Sequence, residues 1–303
     1  MTKILRLIFE LGQKFKINIL PNHFYSSIPN ISELKSDDYW KAPLDMGQIN
    51  LLSNRDQLKI LSDLIRTIEN FEFTKDKLYT DVVKSCDEIG YGVIESYVLS
   101  GFIRHHKPQK ILQVGCGVST SIILDAVSKM NNYRPEIICI EPYPSKYLEE
   151  QSNSGKIKLV QEKAQKVDEK LFTSLNVGDL LFIDSTHTVK VGSEVNRLIL
   201  EILPKCKSGV FIHFHDIYWP YQYSRRLLES SVFFWNETIL LYALLCNNMD
   251  FKVLISMSIL HYSEKEELKK LITNYNPELD DFGLVAQDNN GKHFPSSIFL
   301  QKI

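Results

Sequence analysis

From residue 110 onward, short apolar runs alternate with stretches of helical periodicity, and this alternation restricts the fold more than any other feature of the chain. The β-type runs are KILQVG, EIICIEP, KIKLVQE, DLLFID and SGVFIHFHD, and four helical stretches separate them. Such alternation predicts an α/β fold with a doubly wound parallel sheet. The runs are continuously apolar because helices bury both faces of such a sheet.

Two later runs, FKVLISMSIL and SSIFLQKI, predict two further strands. The last of them fits an antiparallel insertion at the edge of the sheet. A chain of 303 residues with 44% hydrophobic and 24% charged side chains is long enough to bury a large core.

Residues 1–85 lack this alternation, and we predict that they form an N-terminal helical and extended segment before a domain of residues 86–303. Residues 20–44 are rich in Pro, Asn, Ser and aromatic side chains and show no period. The run NRDQLKILSDLIRTIENF predicts a helix. We expect this segment to act as a lid that selects the substrate.

The first 20 residues, MTKILRLIFELGQKFKINIL, place apolar side chains at helical spacing with basic ones between them. Two interpretations are open: a helix packed on its own domain, which is the ordinary case, or a peripheral helix that binds a membrane or a partner. The stretch has neither the uninterrupted apolar core of a signal peptide nor the length of a transmembrane span.

Charge and cysteine content restrict the partners and the compartment. A net charge of −2 gives no electrostatic reason to expect nucleic acid or an anionic membrane as a partner. The five cysteines show no CxxC spacing, which predicts reduced thiols and a cytoplasmic location. The expected partner is a small-molecule or glycan acceptor.

Polar residues concentrate where the apolar runs stop. The carboxyl ends of parallel strands share one edge of the sheet, where ligands of open α/β sheets bind. The residues at these ends are Gln113, Gly115, Cys116, Gly117, Ser119 and Thr120 after the first run, Glu141 and Pro142 after the second, Asp184 and His187 after the fourth, and His213, His215 and Asp216 at the fifth.

The first of these turns carries two glycines, Gly115 and Gly117, and so allows a ligand to approach the backbone closely. Thr120 stands where a dinucleotide-binding motif would have its third glycine, so the turn suits any nucleoside ligand. Glu141 follows at a spacing suited to bonding a ribose diol. The alternative is a tight strand–helix turn without a ligand. Cys116 fits a small filler of the turn better than a nucleophile.

At this point the sequence resembles a known family. The stretches QVGCGVST, IEPYP, FIDSTHTVKVGSEVN and VFIHFHDIYWPYQYSRRLL, with WNETILLYALL beyond them, resemble class I S-adenosylmethionine-dependent methyltransferases. More narrowly, they resemble a bacterial branch associated with glycan and secondary-metabolite pathways. The resemblance implies a Rossmann-like sheet of seven strands, the seventh antiparallel, with S-adenosylmethionine as the cofactor.

The resemblance also implies the residues that contact this cofactor. The turn from Gly115 through Cys116 to Gly117 would pass beside its methionine and ribose, and Glu141 would hold the ribose hydroxyls. The later residues Ala164 and Gln165 would touch adenine. Gln113 stands where the family often has an acidic residue, and it can bond to the cofactor but cannot neutralise its amino group. The full predicted set is Gln113, Gly115, Cys116, Gly117, Ser119, Thr120, Glu141, Pro142, Ala164, Gln165 and Asp184.

Methylation of an aliphatic hydroxyl needs help with deprotonation, from a histidine base or from a divalent cation. His187 lies three residues after Asp184, so one turn would direct both into one pocket. We predict His187 as the general base, with Asp184 and Asp216 as the other catalytic residues. Asp216 would orient the acceptor or bind a cation.

Related metal-dependent sugar and catechol O-methyltransferases show a similar layout and imply a metal site. Asp184 and Asp216 match their pattern, whereas His215 stands where these relatives have a carboxylate. The candidate ligands of a divalent metal ion are therefore Asp184, His215 and Asp216. An imidazole ligand favours Mn, Fe or Zn over Mg.

Several neighbouring residues allow two interpretations. His213 fits a core histidine better than a ligand. Aromatic residues after the fifth run suit either stacking on sugar rings or a packed lid, and basic residues beyond them suit an acceptor anion or the solvent. These are Tyr218, Trp219, Tyr221 and Tyr223, with Arg225 and Arg226; Asn236 and Glu237 are further candidates on a flanking helix.

The predicted function is S-adenosylmethionine-dependent O-methylation of a sugar or other polyhydroxylated acceptor. One alternative is a metal-dependent hydrolase or oxygenase that uses the His-x-His-Asp cluster. Another is a non-catalytic cofactor-binding module, which would not need the pair Asp184 and His187. That pair favours an enzyme.

Overall fold

The chain is described by a computed structural model that covers residues 2–69, 77–86, 90–229, 233–272, 275–277 and 292–303. Within these residues, seven strands form one sheet: β1 (Lys110–Val114), β2 (Glu136–Ile140), β3 (Lys158–Val160), β4 (Leu180–Ile183), β5 (Phe211–Phe214), β6 (Phe251–Ser256) and β7 (Ile298–Lys302). Their order is β3-β2-β1-β4-β5-β7-β6.

The pairing of these strands confirms the predicted fold class. Strands β1 to β5 pair in parallel, whereas β7 is antiparallel to both β5 and β6. The last strand therefore enters the sheet between β5 and β6. From β1 the chain runs outward through β2 to β3 and then crosses back to β4 on the other side of β1, so β1 and β4 flank the switch point.

The helices surround this sheet or precede it. They are α1 (Thr2–Lys14), α2 (Ile31–Ser36), α3 (Asn54–Glu69), α4 (Lys77–Cys86), α5 (Val93–His106), α6 (Val118–Ser128), α7 (Lys146–Asn153), α8 (Glu169–Thr173), α9 (Glu194–Arg197), α10 (Glu237–Leu245), α11 (Met257–Ser263) and α12 (Lys265–Leu271). Short 3₁₀ turns lie at Tyr39–Lys41, Met46–Gln48, Ala164–Lys166 and Leu203–Lys205, and a π turn at Leu198–Ile202 continues α9. Side chains of Ser145, Asp168 and Ser193 cap α7, α8 and α9.

Two core layers cover the two faces of the sheet. In β4, Leu180 and Phe182 belong to one layer, whereas Leu181 and Ile183 belong to the other. All four of these side chains are fully buried. This burial on both sides explains why the apolar runs are continuous.

The chain divides into two units, residues 1–42 and residues 43–303. In the first unit, Asn30 caps α2 and the indole N–H of Trp40 donates to the carbonyl oxygen of Leu34 at 3.0 Å. The sequence places the boundary at residue 85 instead. The reason for the difference is α3, because its backbone approaches α5 so closely that a Cβ at Gly101 would lie 2.7 Å from the carbonyl oxygen of Leu64. The lid role of residues 1–85 stays a prediction.

All five cysteines are free thiols, as the sequence predicts. Among the described residues, no helix combines the length and the apolar character needed to cross a membrane.

Candidate active site

The carboxyl ends of β1, β2 and β4 form the walls of a cleft that consists of two adjoining cavities. The larger has a volume of about 550 Å³ and the smaller about 210 Å³. Gly115, Glu141 and Asp184 line both. The larger cavity falls within the roughly 300–1,000 Å³ that is typical of small-ligand sites.

The turn after β1 requires its first glycine. Gly115 has a φ of +78°, and a Cβ at this position would lie 1.6 Å from the carbonyl oxygen of Asp184. The end of β4 is held against this turn by the N–H of Asp184, which donates to the carbonyl oxygen of Val114 at 2.9 Å. The glycine therefore allows two strand ends to touch where the two cavities meet.

Beneath the turn lies a small hydrogen-bond network. The side-chain amide of Gln113 donates to Ser119 Oγ at 2.8 Å, and Thr120 Oγ1 donates to Gln113 Oε1 at 2.9 Å. Gln113 and Thr120 are fully buried and line neither cavity. Among the predicted cofactor-binding residues, these two support the turn instead of facing the cleft.

The other predicted cofactor-binding residues do line the cleft. They are Gly115, Cys116, Gly117, Ser119, Glu141, Pro142, Ala164, Gln165 and Asp184. Glu141 stands on the wall between the cavities, where Oε1 accepts the N–H of Tyr143 at 2.9 Å and Oε2 that of Cys116 at 3.4 Å. Burial raises the pKa of the Cys116 thiol, which agrees with a filler rather than a nucleophile.

The larger cavity has a further wall that the sequence reasoning missed. Lys163, Ser185, Thr186, Lys190, Ser193 and Glu194 line it. Glu194 Oε1 accepts the N–H of Thr186 at 3.0 Å, which fixes the loop after β4. The sequence gives only a weak indication that these residues line a cavity, because they follow the ends of the strands at different distances.

Beside the cleft, the ends of β4 and β5 and the start of α10 form a buried titratable cluster. His187 Nε2 lies 3.3 Å from Asp184 Oδ1 and 3.6 Å from Asp216 Oδ2. On the other side of the ring, Nδ1 lies 2.8 Å from Glu237 Oε2. The backbone N–H groups of Asn236 and Glu237 also donate to the carbonyl oxygen of His187. The start of α10 therefore fixes both the backbone and the ring of this histidine.

The cluster carries opposite charges in close contact. Burial lowers the pKa of His187, but hydrogen bonds to Asp184 and Glu237 outweigh it and raise this pKa from 6.5 to about 10. Burial opposes ionisation of Asp184 and Asp216, yet the facing imidazoles lower the pKa of both carboxyls. These contacts therefore favour the protonated form of His187, and another positive charge near the carboxylates would lower its pKa.

His215 lies beside the same two carboxylates. Its Nδ1 is 3.5 Å from both Asp184 Oδ1 and Asp216 Oδ2, and its Nε2 is 3.8 Å from Glu95 Oε1. Glu95 is a buried residue of α5, and the sequence analysis did not predict it as a site residue. Ser296 connects the two acids, because its N–H donates to Glu95 Oε1 and its hydroxyl to Asp216 Oδ1.

Two histidines lie beside the carboxylates of Asp184 and Asp216. Asp184, His187 and Asp216 each offer one ligand atom, and these atoms lie within 4.8 Å of one another. The predicted ligand His215 is as near, with Nδ1 3.5 Å from the same two carboxylate oxygens, so the predicted metal-ligand group stays a prediction. Asp216 Oδ2 is buried without a hydrogen-bond partner among the described residues, and Glu237 holds the far nitrogen of His187 as a carboxylate commonly does beside a metal-ligating histidine. Two carboxylates with one imidazole suit Mn, Fe or Zn.

His213 is a core histidine, as the sequence predicts. Its ring stacks on Phe182 at a centroid distance of 4.4 Å and lies 4.5 Å from Phe299. Burial lowers its pKa well below the ordinary value. The His-x-His-Asp motif therefore does not bring its three polar side chains to one point, which disfavours the hydrolase or oxygenase alternative.

The aromatic residues after β5 divide into two groups. Tyr218 and Trp219 are buried, so they form part of the packed core, whereas Tyr221 and Tyr223 are partly exposed. Trp235, which the sequence reasoning did not single out, has its ring 4.7 Å from that of His187. Phe233 lies nearly parallel to it at 5.6 Å. An aromatic surface therefore borders the cluster.

The charge state of His187 leads to a testable pH dependence. In buffer with a chelator, the free energy of unfolding should fall as the pH rises from about 6.5 to about 10. His187 binds its proton more tightly in the folded state, so this stabilisation is complete below the unfolded pKa and is lost as the pH passes through the folded one. Urea unfolding at several pH values measures the slope.

The variant His187→Gln should lose part of that slope, because it keeps a polar group beside Asp184, Asp216 and Glu237 but cannot be protonated. The rest of the pH dependence should come from His215, which faces the same carboxylates. Equal slopes in the wild type and the variant would contradict the assigned charge state.

Comparison with known proteins indicates which class of protein this chain resembles. Residues 112–217 match a family described as a methyltransferase domain, and this span runs from β1 to just beyond β5. The seven-stranded sheet with its antiparallel seventh strand also has the arrangement implied by the resemblance to class I S-adenosylmethionine-dependent methyltransferases. Both findings support that class.

Among individual proteins, an uncharacterized protein of Archaeoglobus fulgidus is 32% identical over 145 residues. The match covers 46% of this chain, and the chain spans 63% of that relative's length. Two similar crystal structures are the O-methyltransferase TomG from Streptomyces achromogenes, in complex with SAM, and the O-methyltransferase from Bacillus cereus, in complex with SAH. Their identities are 9% and 10%, and each has a TM-score of 0.47. Each alignment covers 81% of this chain, together with 98% of the TomG chain and 100% of the Bacillus cereus chain.

Proposed function

We propose that the protein is an S-adenosylmethionine-dependent methyltransferase that methylates a hydroxyl group of a small-molecule acceptor. One observation carries the proposal: a two-cavity cleft at the carboxyl ends of β1, β2 and β4 adjoins the buried cluster around His187. Asp184 belongs to both the cleft and the cluster. Ligand binding and acid–base chemistry would therefore take place at neighbouring positions.

The residues of the cleft fit the proposed cofactor. Each carboxylate oxygen of Glu141 accepts one backbone N–H and keeps capacity for a further hydrogen bond, as a ribose diol requires. Pro142, Ala164 and Gln165 line the larger cavity, which suits adenine, and the glycine turn lines the smaller one, which suits the methionine part. When bound, S-adenosylmethionine supplies an electrophilic methyl group.

Within this proposal, His187 accepts the proton of the acceptor hydroxyl at Nε2. Glu237 holds the opposite ring nitrogen and so fixes which nitrogen faces Asp184 and Asp216. Asp216 orients the acceptor. The positive charge of a bound ligand near Asp184 and Asp216 would lower the pKa of His187 into the range where it acts as a base.

A metal-assisted form of the reaction is a second candidate, favoured by the convergence of one ligand atom each from Asp184, His187 and Asp216 within 4.8 Å. Asp184, His187 and Asp216 would hold a divalent ion that lowers the pKa of the acceptor oxygen. In that form Nε2 of His187 is a ligand, so it does not act as the base. The two roles therefore exclude each other.

The proposed acceptor is a sugar or another polyhydroxylated compound. The support is the juxtaposition of the cluster with the aromatic faces of Trp235 and Phe233. Aromatic rings present an apolar face to ring-shaped ligands, while the nearby carboxylates can accept hydroxyl hydrogen bonds.

The binding step can be tested without knowing the acceptor. The variant Glu141→Ala should weaken binding of S-adenosylmethionine and S-adenosylhomocysteine by about 10- to 100-fold, because it removes charge-assisted hydrogen bonds to the ribose. Isothermal titration calorimetry measures the change. The matched control is Glu149→Ala, an exposed position on α7, which should bind as the wild type does. If the wild type binds neither compound, the methyltransferase proposal is wrong.

A further inference from the structure

Helix α1 presents an exposed apolar surface. Ile4, Leu7 and Leu11 are 66%, 66% and 55% exposed, and Ile8 is 40% exposed. These positions follow the i, i+3, i+4, i+7 spacing and therefore share one side of the helix. Phe15, just beyond the helix, extends the same row and is also exposed. Monomeric proteins rarely leave such a contiguous patch uncovered unless it binds something.

Basic side chains flank this apolar row. Lys3 and Lys14 lie along one edge of it, since Lys14 follows Leu7 at i+7, whereas Arg6 lies farther round the helix and forms an i, i+4 pair with Glu10 at 2.8 Å. Lys16 follows at the turn that ends the helix. This local excess of positive charge contrasts with the net charge of −2 of the whole chain.

The length of the helix restricts what it can bind. Its 13 residues extend about 20 Å, which is too short for the roughly 30 Å hydrocarbon core of a bilayer. After it the chain folds back, because the N–H of Ile17 donates to the carbonyl oxygen of Gly12 at 2.9 Å and Lys16 takes a positive φ. Ile17 and Ile19 thus remain near the same helix end. A short amphipathic helix of this kind suits the plane of a membrane surface.

We infer that α1 binds anionic lipid surfaces, with Ile4, Leu7, Ile8 and Leu11 in the acyl boundary. Lys3, Lys14 and Lys16 would reach the lipid phosphates. The apolar side of α1 could be covered by a second copy of the helix or by a lipid bilayer. Charge favours the bilayer, because a second copy would add further basic side chains, whereas anionic lipids neutralise those of α1. The inference does not rest on the proposed methyltransferase function.

Co-sedimentation of the full chain with lipid vesicles tests this inference. The protein should bind vesicles of phosphatidylcholine mixed with phosphatidylglycerol and should bind vesicles of phosphatidylcholine alone much more weakly. The double variant Leu7→Glu and Leu11→Glu should lose binding to both. The double variant Lys3→Gln and Lys14→Gln should lose about 30-fold in affinity for the anionic vesicles only, at about fivefold for each basic residue removed.

The matched control is the double variant Leu200→Glu and Met249→Glu, which adds the same charge at exposed apolar positions outside α1 and should bind as the wild type does. Three results would overturn the inference. They are no binding of the wild type, equal binding to neutral and anionic vesicles, and a self-association without vesicle binding that the double variant Leu7→Glu and Leu11→Glu abolishes.

Discussion

Replacing His187 with alanine should lower the rate of methyl transfer by about 10²- to 10⁴-fold, the range expected for loss of a general base. The physical reason is position, because Nε2 faces Asp184 and Asp216 at the edge of the cleft while Glu237 fixes the ring. The measurement is formation of S-adenosylhomocysteine on a panel of sugar and polyhydroxylated acceptors. Affinity for S-adenosylmethionine, from calorimetry, should stay near that of the wild type.

The control for this substitution is His105→Ala, which removes an exposed histidine at the end of α5 and should leave the rate unchanged. Full turnover in His187→Ala would disprove the catalytic role. A chelator separates the two proposed roles of the residue. If chelator abolishes wild-type turnover and His187→Ala also loses Mn²⁺ binding, His187 is a metal ligand and another group accepts the proton.

The sequence predicts the sheet and one half of the site well, for a physical reason. Continuous apolar runs mark strands buried on both faces, and the polar residue after each run lies at the carboxyl edge. Glu141 and Asp184 are such residues, and both line the cleft. Their positions depend only on where a strand ends, which the sequence states directly.

The other half of the site depends on packing between elements that are distant in the chain. Glu95 belongs to α5, and its partner Ser296 is 201 residues away. Glu237 reaches His187 only because α10 begins against the loop after β4. The sequence offers a candidate on that helix, but no pattern states which histidine it contacts. For the same reason the sequence analysis named only His215 as the imidazole ligand, although His187 lies as close to the same two carboxylates.

The positions of Gln113 and Thr120 show how strand alternation limits motif-based assignment. In β1, Leu112 and Val114 point into one core layer, so Gln113 points to the other side, beneath α6. Its amide there bonds to Ser119 and Thr120 at the start of that helix. A residue can therefore lie next to a ligand-binding turn in the sequence and still face the protein interior.

Substitution of Gly115 with alanine should have the largest effect on stability, lowering the free energy of unfolding by about 2–5 kcal/mol. Two costs add: an L-residue at a φ of +78° costs about 1–2 kcal/mol, and overpacking costs about 1–3 kcal/mol. The added Cβ would lie 1.6 Å from the carbonyl oxygen of Asp184, so β1 and β4 must separate at the cleft. Urea denaturation gives the change, and calorimetry should show loss of S-adenosylmethionine binding in the fraction that folds.

Gly155→Ala separates the two costs. Gly155 has a similar φ of +73°, but no atom lies within 4 Å of the position that its Cβ would take. This variant should therefore show only the conformational cost, about 1–2 kcal/mol, and should bind the cofactor as the wild type does. The difference between the two variants measures the contact with Asp184 alone. Equal destabilisation would show that the ends of β1 and β4 do not touch, and the shared wall of the two cavities would then have to be reassigned.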